Sequence, residues 1–96
     1  MRRAARVDDN QKTLTEQLRS AGFSVALTHT VGKGFPDMVV GFAGHNVLVE
    51  IKDPDKPPSK RRLTEDELKW HENWKGLVIV AETIDDVIDS FANLVR

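Results

Sequence analysis

The sequence predicts a single mixed α/β domain over residues 1–96, a mixed sheet flanked by helices with a further helix at the C-terminus. Three observations predict it. Two segments repeat apolar residues at helical spacing, around Leu14 and around Val87. Two apolar runs, Met38–Phe42 and Val47–Ile51, alternate and are separated only by Ala43-Gly44-His45-Asn46, as in a hairpin. A third apolar run, Leu77–Ala81, lies between two helical segments, which suits a strand that rejoins the sheet.

Taken in order, the first helix begins near Asp8, an N-cap with Gln11 three positions on as a variant capping box. Val7, Leu14, Leu18 and Ala21 keep helical spacing, and Gly22 ends the helix. Phe23–His29 alternates and reads as a strand; Thr30–Gly34 is a flexible turn. In the hairpin, Met38, Val40 and Phe42 share one face with Val47, Val49 and Ile51, leaving Asp37, Glu50 and Lys52 on the other. A two-residue turn at Gly44-His45 sets position 37 across from 52 and 39 across from 50, with Asp37 one diagonal step from Glu50. Asp53–Arg62 holds three of the chain's 4 prolines and reads as an extended loop. Thr64 is an N-cap, Glu67 closes its capping box, and Leu63 with Leu68 forms a staple. Leu68, Trp70, His71 and Trp74 continue that helix to Gly76. Leu77–Ala81 reads as a buried strand. Thr83 caps a last helix with the stripe Ile84, Val87, Ile88, Phe91 and Val95. The order is αβββαβα.

Composition excludes several function classes. With 0 cysteines there are no disulfides, no thiolate-held zinc and no thiol catalysis. No apolar run reaches the ~20 residues that span a bilayer, and no signal-peptide core follows Met1–Arg6, so a cytoplasmic setting is expected. A net charge of -1 argues against a protein that coats nucleic acid by charge alone. The charges are segregated, however: Arg2, Arg3 and Arg6 form one basic group, Lys52, Lys56, Lys60, Arg61 and Arg62 another, and acidic residues dominate from Glu82 onward. Runs of this kind are most often solvated faces.

The candidate chemistry lies on the polar face of the hairpin. Mg²⁺ or Mn²⁺ takes hard oxygen ligands and keeps several waters, so Asp37 and Glu50, with the backbone carbonyl of Ile51, are a sufficient ligand set. Such an ion polarises a phosphoryl oxygen and activates water. Lys52 on the same face orients the attacking water or offsets developing charge. Glu-x-Lys alone is commonly just a cross-strand ion pair. His29, His45 and His71 share no metal-ligand spacing, and Trp70 and Trp74 at i, i+4 read as core or interface before they read as base-stacking groups. Lys33, between two glycines and near Asp37, is a candidate phosphate contact, as are Lys56, Lys60, Arg61 and Arg62.

Pro36-Asp37 followed by Glu50-Ile51-Lys52 resembles the Pro-Asp…(Asp/Glu)-x-Lys signature of the PD-(D/E)XK nuclease superfamily. Within it, Asp8-Asp9-Asn10-Gln11, Val31–Asp37, Val49–Lys52 and Leu63-Thr64…Trp70-His71…Trp74 resemble the small stand-alone VRR-NUC nucleases, often phage-encoded. The resemblance implies a restriction-endonuclease-like αβββαβ core. It also implies Mg²⁺- or Mn²⁺-dependent cleavage of branched DNA, notably four-way (Holliday) junctions, by a homodimer. It further implies an acidic residue on the first helix near the metal, for which Asp9 fits best and Glu16 less well. Where such nucleases often carry glutamine after the Glu-x-Lys strand, this chain has Glu67, whose capping role accounts for it. The rival expectation is a nuclease-fold module that binds DNA or a protein without cutting.

Overall fold

A computed structural model describes residues 9–95. The chain runs α1 (Asp9–Ser20), β1 (Ser24–Leu27), β2 (Met38–Phe42), β3 (His45–Ile51), α2 (Pro58–Arg61), α3 (Glu65–Asn73), β4 (Val78–Ala81) and α4 (Ile84–Ala92). The four strands form one sheet in the order β1-β2-β3-β4. The first two pairings are antiparallel and β3–β4 is parallel, so the sheet is mixed, as its sequence predicts.

The core lies on one sheet face, beneath α1 and α4. Met38 and Val40 of β2, and Val47, Val49 and Ile51 of β3, point into it with Leu14, Leu18, Val87 and Phe91. Each such apolar side chain contributes about 1.5–3 kcal/mol by leaving water, and the strand alternation selects which residues are buried. Phe42 is the exception: it stays 40% exposed at the rim, in ring contact with Phe23 at 4.5 Å and Phe91 at 6.0 Å. The stripe predicted for the last helix likewise buries Val87 and Phe91 but leaves Ile88 exposed, and Val95, also exposed, lies past the end of α4 at Ala92. At the end of α1, Gly22 adopts φ +97° and the Phe23 amide returns to the Leu18 carbonyl at 3.0 Å. Asp8 and Val7 lie outside the described residues. Gln11, expected to face a cap, is buried instead, with Nε2 3.3 Å from His29 Nδ1.

Three further expectations change. The hairpin turns at Ala43-Gly44, not Gly44-His45, because both residues take positive φ (53° and 81°), the combination that matches the twist of a tight hairpin. Met38 therefore pairs with Val49 and Val39 with Leu48, two positions from the expected partners. Asp53–Arg62 is not wholly a loop: Pro58 starts α2, where a missing N–H costs nothing and the fixed φ suits a first turn. Leu77–Ala81 is less buried than expected, since β4 is an edge strand and Leu77 and Val80 are 41% and 42% exposed.

Helix α3 carries the predicted capping box complete: Thr64 Oγ1 accepts from the Glu67 amide (3.2 Å) and Glu67 Oε1 accepts from the Thr64 amide (2.8 Å). Its first turn is pressed against Gly34. A Cβ added to Gly34, at φ +84°, would lie 2.7 Å from the carbonyl carbon of Asp66, so glycine is required there for space as well as for conformation. Gly44 also has positive φ but open space around it. Gly34→Ala is expected to cost about 3 kcal/mol of unfolding free energy and Gly44→Ala about 1 kcal/mol, measured by urea denaturation. Equal losses would show that the close approach of α3 adds nothing.

Candidate active site

Where β2 begins and β3 ends, on the face opposite the core, a cleft of about 410 Å³ opens. It is lined by Asp37, Glu50, Ile51, Lys52, Lys56, Lys60 and Glu67, among others. Asp37 is held by its own backbone: its amide donates to the Val49 carbonyl (3.0 Å) and its carbonyl accepts from the Thr28 amide (2.8 Å). Thr28 also donates its hydroxyl to the Pro36 carbonyl at 2.8 Å, fixing the entry into β2. The Asp37 carboxylate then accepts the Ile51 amide at Oδ2 (2.7 Å). With this register Asp37 sits against Glu50 and Ile51, rather than beside Lys52 as the shifted turn would have had it.

Glu50 is only 3% exposed although it points away from the core. Its Oε2 lies 3.9 Å from Lys52 Nζ. Its Oε1 is buried without a hydrogen-bond partner among the described residues, an arrangement that costs free energy unless something supplies a partner. Burial, the neighbouring Asp37 charge and a hydrogen bond with Asp37 push the Glu50 carboxyl up to about 9. Burial likewise raises Asp37, against the opposing hydrogen bond from Ile51. Two adjacent carboxyls in a desolvated cleft hold a proton where a cation would otherwise balance them.

Lys52 Nζ donates to Glu67 Oε1 at 2.9 Å. Glu67 is therefore more than a cap: the same oxygen serves the Thr64 amide and Lys52. Burial opposes its charge, but the hydrogen bonds from Lys52 and the Thr64 amide outweigh that and hold it below the usual carboxylate range. His71, one turn further on, is pulled down by burial, and its Nε2 is buried without a hydrogen-bond partner among the described residues. The signal for Glu67 in the sequence was its position after the Glu-x-Lys strand, which its capping role masked.

The remaining candidates separate. Lys56 and Lys60 line the cleft mouth. Arg61 turns away, with Nη1 3.6 Å from Glu82 Oε2, and exposed Arg62 does not line the cleft. Lys33 lines a different hollow, beside Trp70 and Trp74. Asp9 is exposed at the start of α1 and Glu16 faces another side with Lys12 and Arg19; neither lines the cleft. The α1 residue that reaches this region is Asn10, whose Nδ2 donates to the carbonyls of Lys52 (2.8 Å) and Glu82 (3.2 Å). It ties α1 to the end of β3.

Among the described residues no cluster of three or more His, Cys, Asp or Glu side chains is arranged to hold a metal ion. Two carboxyls and a backbone carbonyl remain, a donor set that suits a hard, largely hydrated cation such as Mg²⁺. The unpartnered Glu50 oxygen fits that role. No known protein family, curated protein or solved structure matches the chain. No helix among the described residues is long and apolar enough to cross a membrane.

The raised Glu50 carboxyl sets a pH dependence. Its folded-state value, about 9, exceeds the ordinary 4.5, so the folded protein keeps a proton that the unfolded chain releases. Stability is therefore lost as pH rises from about 4.5 towards about 9. Glu50→Gln, which cannot ionise, is expected to gain stability over the wild type between pH 5 and pH 8 when both are melted in chelator. A pH-independent difference would refute the assignment.

Proposed function

We propose that this chain is a metal-dependent structure-selective DNA endonuclease of the VRR-NUC type, with a restriction-endonuclease-like fold. One observation carries the reading: Asp37 and Glu50 meet in a cleft with Lys52, and one buried oxygen of Glu50 lacks a partner among the described residues. An ion pair with Lys52 engages only the other oxygen of Glu50, and a surface that only binds DNA has no use for two abutting acids. Apart from the one-turn α2, the succession of a helix, three strands, the helix α3 and a strand also agrees with the core that the Pro-Asp…Glu-x-Lys resemblance implies.

Asp37, Glu50 and the Ile51 carbonyl would hold Mg²⁺ or Mn²⁺. When bound, the ion supplies Lewis-acid polarisation of the scissile phosphate and neutralises charge on the leaving oxygen. The chain's own residues do the rest. Ile51 donates its amide to Asp37 and so aims that carboxylate. Lys52, steadied by Glu67, is within the cleft to donate to a phosphoryl oxygen or orient the attacking water. Lys56 and Lys60 give the DNA backbone a basic approach past the acids. One domain makes one nick, so symmetric cutting of a four-way junction calls for a two-fold homodimer.

The test is incubation of the protein with four-way, flap and linear DNA, in Mg²⁺ or Mn²⁺ and in chelator. Cutting is expected only with metal and preferentially on branched DNA. Asp37→Ala and Lys52→Ala are each expected to lower the rate by roughly 10²-fold or more. Unchanged cutting in either variant would remove the site, and DNA binding with no cutting in any metal would favour the non-catalytic module. Linear duplex cut as readily as junctions would remove the structural selectivity alone. Mn²⁺ loading at pH 7 is expected to release about one proton from the carboxyl pair, read as a buffer-dependent heat in titration calorimetry.

A further inference from the structure

Beyond Glu67, α3 carries a second surface that the cleft chemistry does not use. Trp70 and Trp74 stack with centroids 4.7 Å apart and planes 18° apart. Phe35 meets Trp70 edge-on at 5.0 Å, bracing the pair from the loop that leads to Asp37. Trp74 nevertheless stays 45% exposed. Gly76 lies close against its indole: a Cβ there would come within 2.9 Å of Nε1. A hollow of about 320 Å³ runs along these rings, lined also by Lys33, Asp66, Lys69 and Asn73.

Lys33 has a distinctive backbone. It adopts φ 57°, a left-handed conformation that favours glycine, between two glycines that take the same hand. A lysine at such a position acts against the backbone preference, and its side chain lines the hollow beside the indoles. An exposed, braced aromatic face with two lysines beside it, against one carboxylate at Asp66, has the groups that grip a nucleobase and its phosphate: stacking for the base and ammonium groups for the phosphate, while the Asn73 amide is engaged by the Lys69 carbonyl at 2.8 Å. Helical geometry sets residues 67, 70, 71 and 74 on one stripe. The rise of 1.5 Å per residue separates Glu67 from Trp74 by about 10 Å along the helix axis.

We infer that Trp74, braced by Trp70 and Phe35, is a stacking platform for an unpaired base of a DNA strand whose phosphate lies against Lys33 and Lys69. The proposed substrate then carries an unpaired nucleotide close to the scissile bond. The position of that bond rests on the nuclease reading; the stacking itself does not.

The chain's 2 tryptophans are both in this pair, so intrinsic fluorescence reports on the platform alone. In chelator, where no cutting occurs, a short single-stranded oligodeoxynucleotide is expected to quench the emission and a blunt duplex to leave it nearly unchanged. Trp74→Ala is expected to weaken oligonucleotide binding about fivefold or more, measured by anisotropy. Lys33→Gly, which suits the backbone, is expected to reduce the salt dependence of binding by about one charge. Trp74→Phe keeps an aromatic ring in the packing and is expected to show an intermediate loss, so it carries the test if the alanine variant does not fold.

Absence of quenching, equal quenching by blunt duplex, or wild-type affinity in both Trp74 variants would overturn the platform. So would a Trp74→Ala protein that changes from dimer to monomer with unaltered oligonucleotide affinity, because the face would then be a protein contact. A chain that stacks oligonucleotides yet never cuts overturns the nuclease reading alone. A chain that cuts without quenching overturns the platform alone.

Discussion

Two carboxyl groups, Asp37 and Glu50, are held side by side in a cleft that gives them little water. Were both ionised they would part, because burial opposes charge on each and the Asp37 charge opposes it on Glu50. The hairpin does not allow it. Its register is locked by a tight turn on one side and by apolar side chains on the core face, and the Ile51 amide grips Asp37 from within the same strand pair. The cost of that proximity is met by the burial of Met38, Val40, Val47, Val49 and Ile51. A sheet with one greasy face can hold an uncomfortable pair of acids on the other.

Support for the cleft comes from every side. Asn10 joins α1 to the carbonyl of Lys52, the Pro36–Thr28 contact fixes the start of β2, and Gly34 lets the first turn of α3 come close enough for Glu67 to reach Lys52. Those contacts are made by residues with no chemistry of their own. They explain why the Gly-Lys-Gly-Phe-Pro-Asp segment mixes glycines with an aromatic: one glycine admits the helix, and Phe35 braces the tryptophan that follows on it.

Much of this was legible in the sequence where a pattern has one physical solution. The pleat of the hairpin, the Thr64–Glu67 capping box and the glycine stop at 22 each follow from residue type and spacing. The turn was not legible, because moving it by one position shifts the pairing by two residues and leaves every side chain on its own face. Pro58 marked α2 only once the preceding extended backbone was known. Helix faces also misled: the offset that favoured Asp9 ignored that Asn10, one residue on, faces β3 and that Gln11 is turned inward to His29. Lys33 and Arg61 were grouped with the site by sequence proximity and charge, whereas backbone twist takes the first to the tryptophans and Glu82 draws the second away.

The Oε1 atom of Glu67 accepts from both the Thr64 amide and the Lys52 ammonium. A single atom thus belongs to a helix end and to the cleft at once. Fraying of that first turn swings the carboxylate away and unties the lysine in the same movement. The motion of a helix terminus, ordinarily a local and inconsequential event, is here also the motion of a cleft wall.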